Sequence, residues 1–116
     1  MSNQLEQVSM HIILSAGDAR NNIKAAIDYL SNGDDENYHA EMKTAKENIR
    51  EAHSSQTELI QSEAAGANIT PNLLFIHAQD TLMTIMSEYN LVGNMFILNS
   101  SIEKRIRKLE ENNAKD

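Results

Sequence analysis

The run Phe75-Ile76-His77-Ala78-Gln79-Asp80-Thr81-Leu82-Met83 sets a histidine and a carboxylate one helical turn apart inside an otherwise apolar stretch. A neutral imidazole, whose ordinary pKa is ~6.5, is a nitrogen nucleophile near pH 7. Asp80 at i+3 and Thr81 at i+4 share a helical face with His77, and Thr84 continues that face one turn on. Such a pair serves either nucleophilic chemistry at His77 or only a local hydrogen bond. Spacing alone leaves both open.

The other three histidines, His11, His39 and His53, carry weaker signals. His11 flanks an apolar face and reads as structural. His39 falls in a polar segment and reads as a solvated surface residue. His53 lies in Glu51-Ala52-His53-Ser54-Ser55-Gln56-Thr57 and also reads as structural. Gln56 takes a place that the apolar spacing would fill with a hydrophobic residue, and a buried polar group without a partner costs ~1–3 kcal/mol. It is either a core hydrogen-bonding residue that fixes register or a support for a site.

Composition removes many alternatives. There is no cysteine, so disulfides, thiolate-zinc centres and thiol nucleophiles are excluded. No HExxH pair, glycine-rich phosphate loop or GxSxG elbow is present. A formal charge of −7 from 17 acidic and 10 basic residues argues against nucleic-acid binding. The N-terminal segment has no basic stretch followed by an apolar core, and no apolar run approaches the ~20 residues needed to span a bilayer. The expectation is a soluble, cytoplasmic protein without membrane insertion. The dense basic stretch Lys104, Arg105, Arg107 and Lys108 reads as a helix C-terminus whose cations offset the macrodipole.

The elements that must position His77 are long helices. Leu5, Val8, Ile12, Ala16, Ala19, Ile23, Ala26 and Leu30 recur at intervals of three and four, and Ser31-Asn32-Gly33 ends that face. Asp34 or Asp35 supplies an N-cap oxygen, and the pattern resumes through Tyr38, Met42, Ala45, Ile49, Ala52, Gln56 and Leu59 until Ala65-Gly66-Ala67-Asn68. Thr70-Pro71 reads as a third start, since proline is tolerated in a first turn. Helices at about 4–31, 34–65 and 71–110 in one domain of residues 1–116 follow. Short breaks between them predict an all-α, antiparallel, up-down-up three-helix bundle. On the third helix, Phe75, Ala78, Leu82, Ile85, Tyr89, Val92 and Phe96 form one stripe, and Ile76, Met83 and Met86 form a second beside it. Two apolar flanks exceed what two partner helices cover, which predicts self-association.

Three segments taken together resemble the enzyme IIA component of the lactose/cellobiose family of the bacterial sugar phosphotransferase system. They are Ser15-Ala16-Gly17-Asp18-Ala19-Arg20, Glu51-Ala52-His53-Ser54-Ser55-Gln56-Thr57, and the signature His77-Ala78-Gln79-Asp80-Thr81-Leu82-Met83. The resemblance covers nearly the whole chain. It implies a homotrimer of three-helix protomers, a nine-helix bundle. It also implies that His77 takes a phosphoryl group from the phosphorylated histidine phosphocarrier protein and passes it to a cysteine of enzyme IIB during sugar uptake. Asp80 is then the metal ligand, one Mg²⁺ per trimer being shared by Asp80 of the three chains, and Gln79 and Thr81 support the phosphoryl site. Family members usually carry a second histidine where this chain has Thr81, so a hydroxyl replaces an imidazole there. Which sugar is imported is not set by this component. The rival expectation is a non-catalytic helical adaptor that uses the same face of helix three for protein binding.

Overall fold

In a computed structural model that describes residues 2–115, with side chains from Gln4 onward, the chain folds into α1 (Ser2–Ser31), α2 (Asp35–Ala64) and α3 (Leu73–Ala114). Each break has a local cause. At the first, Gly33 adopts φ 74°, a left-handed conformation that costs glycine nothing, and the side chain of Asp34 caps α2 by accepting the Asn37 N–H at 3.2 Å. At the second, Gly66 turns the chain at φ 106°. Here α3 begins later than Thr70-Pro71 predicts. Asn72 is the cap, its side-chain oxygen accepting the Phe75 N–H at 2.9 Å, so Pro71 stands just outside the helix.

The helices run up, down and up. Leu5, Leu59 and Phe75 cluster at one end, which brings together the start of α1, the end of α2 and the start of α3. Near the other end Tyr38 stacks on Phe96 with ring centroids 4.6 Å apart, and its hydroxyl donates to the Val92 carbonyl at 3.4 Å. The core between them is lined by small residues. Ala16, Ala19, Ala26, Ala45, Ala52 and Ala78 are all fully buried, which lets α1 approach both neighbours closely, while Ile12, Leu82 and Ile85 fill the remaining space. Register between α1 and α2 is fixed by a polar ladder: Asn48 donates to Asn22 at 2.9 Å, and Asn22 donates to Glu41 at 3.0 Å. By comparison α2 and α3 touch little.

The predicted buried stripe of α3 is largely present, with Phe75, Ala78, Leu82, Ile85 and Val92 buried and Tyr89 and Phe96 packed against the core. In the second stripe Ile76 and Met83 are exposed, at 54% and 65%, and Met86 is partly buried. Beyond Phe96 the helix continues through Ala114, roughly 27 Å past the aromatic stack at 1.5 Å per residue, and the long dimension of the molecule is 73 Å. Ile97, Leu98, Ile102, Ile106 and Leu109 are exposed along that projection. Lys104, Arg105, Arg107 and Lys108 therefore do not cap a helix end. The last turn of α3 holds no basic residue, because nothing between Ser100 and Ala114 breaks the helix.

Two side-chain expectations also change. Gln56 is only half-buried and its side chain makes no hydrogen bond among the described residues, where the buried polar residues are Ser9 and Ser15. His39 is exposed yet not simply solvated, since its ring packs edge-on against Tyr38 and Phe96 at 5.1 and 4.7 Å. No described helix is long and apolar enough to cross a membrane.

Candidate functional site

His77 lies on the second turn of α3, held by the ridge that buries Phe75, Ala78 and Leu82. At about 100° per residue, His77 points away from that ridge, with Asp80 about 60° to one side and Gln79 about 160° round the helix. His77 and Asp80 are exposed, and Gln79 and Thr81 are half-buried. Among the described residues none of the four bonds to another side chain, so the local His77–Asp80 hydrogen bond allowed by spacing is not formed. The imidazole stands free on a rigid helix.

The buried stripe sets the rotation of α3, and a pair that spacing does not reveal marks which flank faces α1. Arg20 of α1 grips Glu88 of α3 with two bonds, Nε to Oε1 at 3.1 Å and Nη2 to Oε2 at 2.9 Å. Glu88 follows His77 by about three turns on nearly the same face, so this fork turns the His77 face toward the α1 flank. The hydrogen bond to Glu88 raises the Arg20 pKa above its ordinary value, aided by attraction to the same carboxylate and opposed by burial. Both partners are partly exposed, at 41% and 39%, so the pair orients more than it stabilises, with a worth of ~0–1 kcal/mol. The two residues are 68 positions apart, and no sequence spacing signals the pairing. On the opposite flank burial pushes the Tyr38 phenol up, with Tyr89 adding to the effect.

The remaining histidines stay apart from His77. His11 places Nε2 3.5 Å from a Glu51 carboxylate oxygen, His39 sits in the aromatic cluster, and His53 is exposed on α2. Two clefts, of about 470 Å³ beside Leu5, Leu59 and Ile69 and about 490 Å³ beside Met10 and His11, are lined without His77. A small free substrate would need a concave site around the nucleophile. An imidazole on a convex helix is instead suited to a reactive group presented by another protein.

No group of three or more His, Cys, Asp or Glu able to hold a metal exists within one protomer among the described residues. Asp80 offers a single exposed carboxylate, a hard oxygen donor of the type Mg²⁺ takes, and a shared site requires copies from other chains.

Residues 7–100 match the family model of the phosphotransferase system lactose/cellobiose-specific IIA subunit. The chain belongs to that family. It is 35% identical over 105 residues to the lichenan-specific phosphotransferase enzyme IIA component of Bacillus subtilis (strain 168), covering 90% of this chain and 96% of the relative. Among solved structures, the cellobiose-specific enzyme IIA from Bacillus anthracis superposes with a TM-score of 0.81 at 38% identity, over 86% of this chain and 92% of that one. The chitobiose IIA of Escherichia coli, solved in complex with HPr, superposes with a TM-score of 0.74 at 32% identity, over 85% of this chain and 96% of that one. This IIA subunit is accordingly a phosphotransferase component. The matched segment contains His77, Gln79, Asp80 and Thr81, whereas the outer part of the α3 projection lies beyond it.

Proposed function

We propose that this IIA subunit is a phosphocarrier in which His77 accepts a phosphoryl group from the phosphorylated histidine phosphocarrier protein, HPr, and passes it to a cysteine of enzyme IIB. The observation that carries this reading is the free, exposed imidazole of His77 on a long helix, outside both clefts described above. In the first transfer a neutral His77 ring nitrogen gives its lone pair to phosphorus. The bond from phosphorus to the donor imidazole breaks, and the donor ring recovers the electron pair. In the second, a cysteine thiolate attacks, the P–N bond breaks and the imidazole is regenerated. A loose, in-line transition state asks the protein mainly for position and charge stabilisation. The helix gives position, the Thr81 hydroxyl on the same face offers a hydrogen-bond donor, and the Gln79 amide of a neighbouring copy would offer another.

Both partners come and go, so the encounters are expected to be fast and weak, in a cytoplasmic setting. Incubation with phosphoenolpyruvate, enzyme I and HPr is expected to add one acid-labile phosphoryl group per chain, read by mass spectrometry. If the intact chain takes up none, the reading fails. The non-catalytic adaptor is the less favoured alternative, because the relatives are named as phosphotransferase components.

The same proposal includes a homotrimer about the exposed face of α3. Leu73, Leu91, Leu98, Ile102 and Leu109 fall near the direction of Asp80 on that helix, and covering them buries the apolar surplus. Asp80 carboxylates brought about 5 Å apart would repel by roughly 3 kcal/mol per pair at an effective dielectric of ~20. Three Asp80 side chains could hold one Mg²⁺, which would supply positive charge at that point. Chelator should then lower the melting temperature of the wild type by a few degrees, while Asp80→Leu assembles at least as tightly and does not respond. A wild type indifferent to chelator removes the metal from the proposal.

A further inference from the structure

Given the trimeric phosphocarrier reading above, we propose that the phosphoryl group on His77 of one copy is met by Arg50 of the next copy, flanked by Lys46 and His53 on α2. His77 needs a cation from elsewhere. Its own face carries Asp80, Thr81, Thr84 and Glu88, and α3 contains no lysine or arginine between Leu73 and Glu103. Neither does α1 before Arg20, whose guanidinium is committed to Glu88, nor does the stretch from Glu51 to Asn72. A dianionic phosphoryl would sit at an end of the bundle without a single fixed positive charge of its own.

The missing charge lies on α2. His39, Lys43, Lys46, Arg50 and His53 recur at intervals of four and three, which aligns them along one face, and all five are exposed. Among the described residues Lys43, Lys46 and Arg50 make no ion pair, although the chain carries an excess of carboxylates. This stripe borders the thin α2–α3 contact, as the packing of His39 on Phe96 places it. Leu59 meets Phe75 and Tyr38 meets Val92, so Arg50 and His53 lie roughly level with positions 80–82 of α3. Arg50 is thus the nearest fixed cation in height to His77, within about 8 Å along the bundle.

Within one chain the two do not face each other. The Arg20–Glu88 fork puts His77 on the α1 flank of α3, and Arg50 borders the α2 flank, with the exposed Asp80 face separating the two around the outside of the helix. A cyclic assembly whose axis runs along that exposed face changes this. Rotation about such an axis preserves height and brings the α1 flank of each copy against the α2 flank of the next. Residues level in one protomer become neighbours across the boundary, and Gln79, already on the α2 flank of its own helix, comes to face the neighbouring His77 together with Arg50.

The test is a single-turnover transfer from phosphorylated HPr at saturating carrier, which separates transfer from docking. Arg50→Glu is expected to acquire label about tenfold or more slowly than wild type, while Arg50→Lys stays within about threefold and both elute as the wild type does. The decisive arm mixes His77→Ala chains, which keep Arg50, with Arg50→Glu chains, which keep His77. Co-assembly should return the labelling rate of the Arg50→Glu chains toward the wild-type value. An unchanged rate in Arg50→Glu, or absence of rescue in the mixture while wild type labels normally, overturns the proposal. If wild type takes no label, the phosphocarrier reading itself has failed and this assignment falls with it.

Discussion

Replacing His77 by alanine is expected to reduce phosphoryl transfer from HPr by about a thousandfold or more, to the background of the assay, because the residue proposed to form the new bond is gone. None of the other histidines can deputise. His11 lies beside Glu51, His39 is packed against Tyr38 and Phe96, and His53 is on α2. Stability should hardly change, since the imidazole is exposed and makes no bond among the described residues. Helicity by circular dichroism, the thermal midpoint and the elution volume are therefore expected to match wild type while the label disappears. Label retained on His77→Ala would move the site to another residue, and loss of label together with loss of helicity would show that His77 is structural.

The second large effect runs the other way. Leu82→Ala, five residues along the same helix, should cost about 2–5 kcal/mol, because Leu82 is fully buried in a core already thinned by alanines. Against a typical domain stability of 5–15 kcal/mol, that loss is a large fraction. It would appear as a lower urea midpoint with little change in slope. The neighbouring Met83, 65% exposed, gives the contrast: Met83→Ala should leave the fold of the protomer nearly untouched. If Leu82→Ala melts within about 0.5 kcal/mol of wild type, the packing described for α3 is incorrect.

The difference between these adjacent positions was legible from the three-and-four spacing of the buried face, which Phe75, Ala78, Leu82, Ile85 and Val92 follow. Spacing carries that information because a helix repeats every 3.6 residues. Contacts between distant positions leave no such trace. Arg20–Glu88 and the His39–Phe96 packing both depend on how whole helices are placed, so the spacing carries no sign of the first and leaves His39 reading as a solvated residue. The basic stretch differs from its sequence reading for another reason. Lysine and arginine suit both a helix end and a helix interior, and only the absence of a breaker before Ala114 distinguishes the two. Thr70-Pro71 lost to Asn72 because an amide oxygen that can accept a backbone N–H defines a start more sharply than a tolerated proline does. His77 stood between chemistry and a local hydrogen bond on spacing alone. The family resemblance favoured chemistry, and the structure lacks that hydrogen bond.

The projection of α3 beyond Phe96 is helix without a protomer to lean on. Isolated helices of about this length are marginal in water, since nucleation costs more than a few hydrogen bonds return. Its apolar side chains Leu98, Ile102, Ile106 and Leu109 gain little unless something covers them. In the proposed trimer the order of this segment would be tied to protein concentration: on dilution it should fray before the bundle beneath it, and on assembly it should stiffen. In that assembly the far end of α3 would convert crowding of subunits into local structure, well away from the imidazole on its second turn.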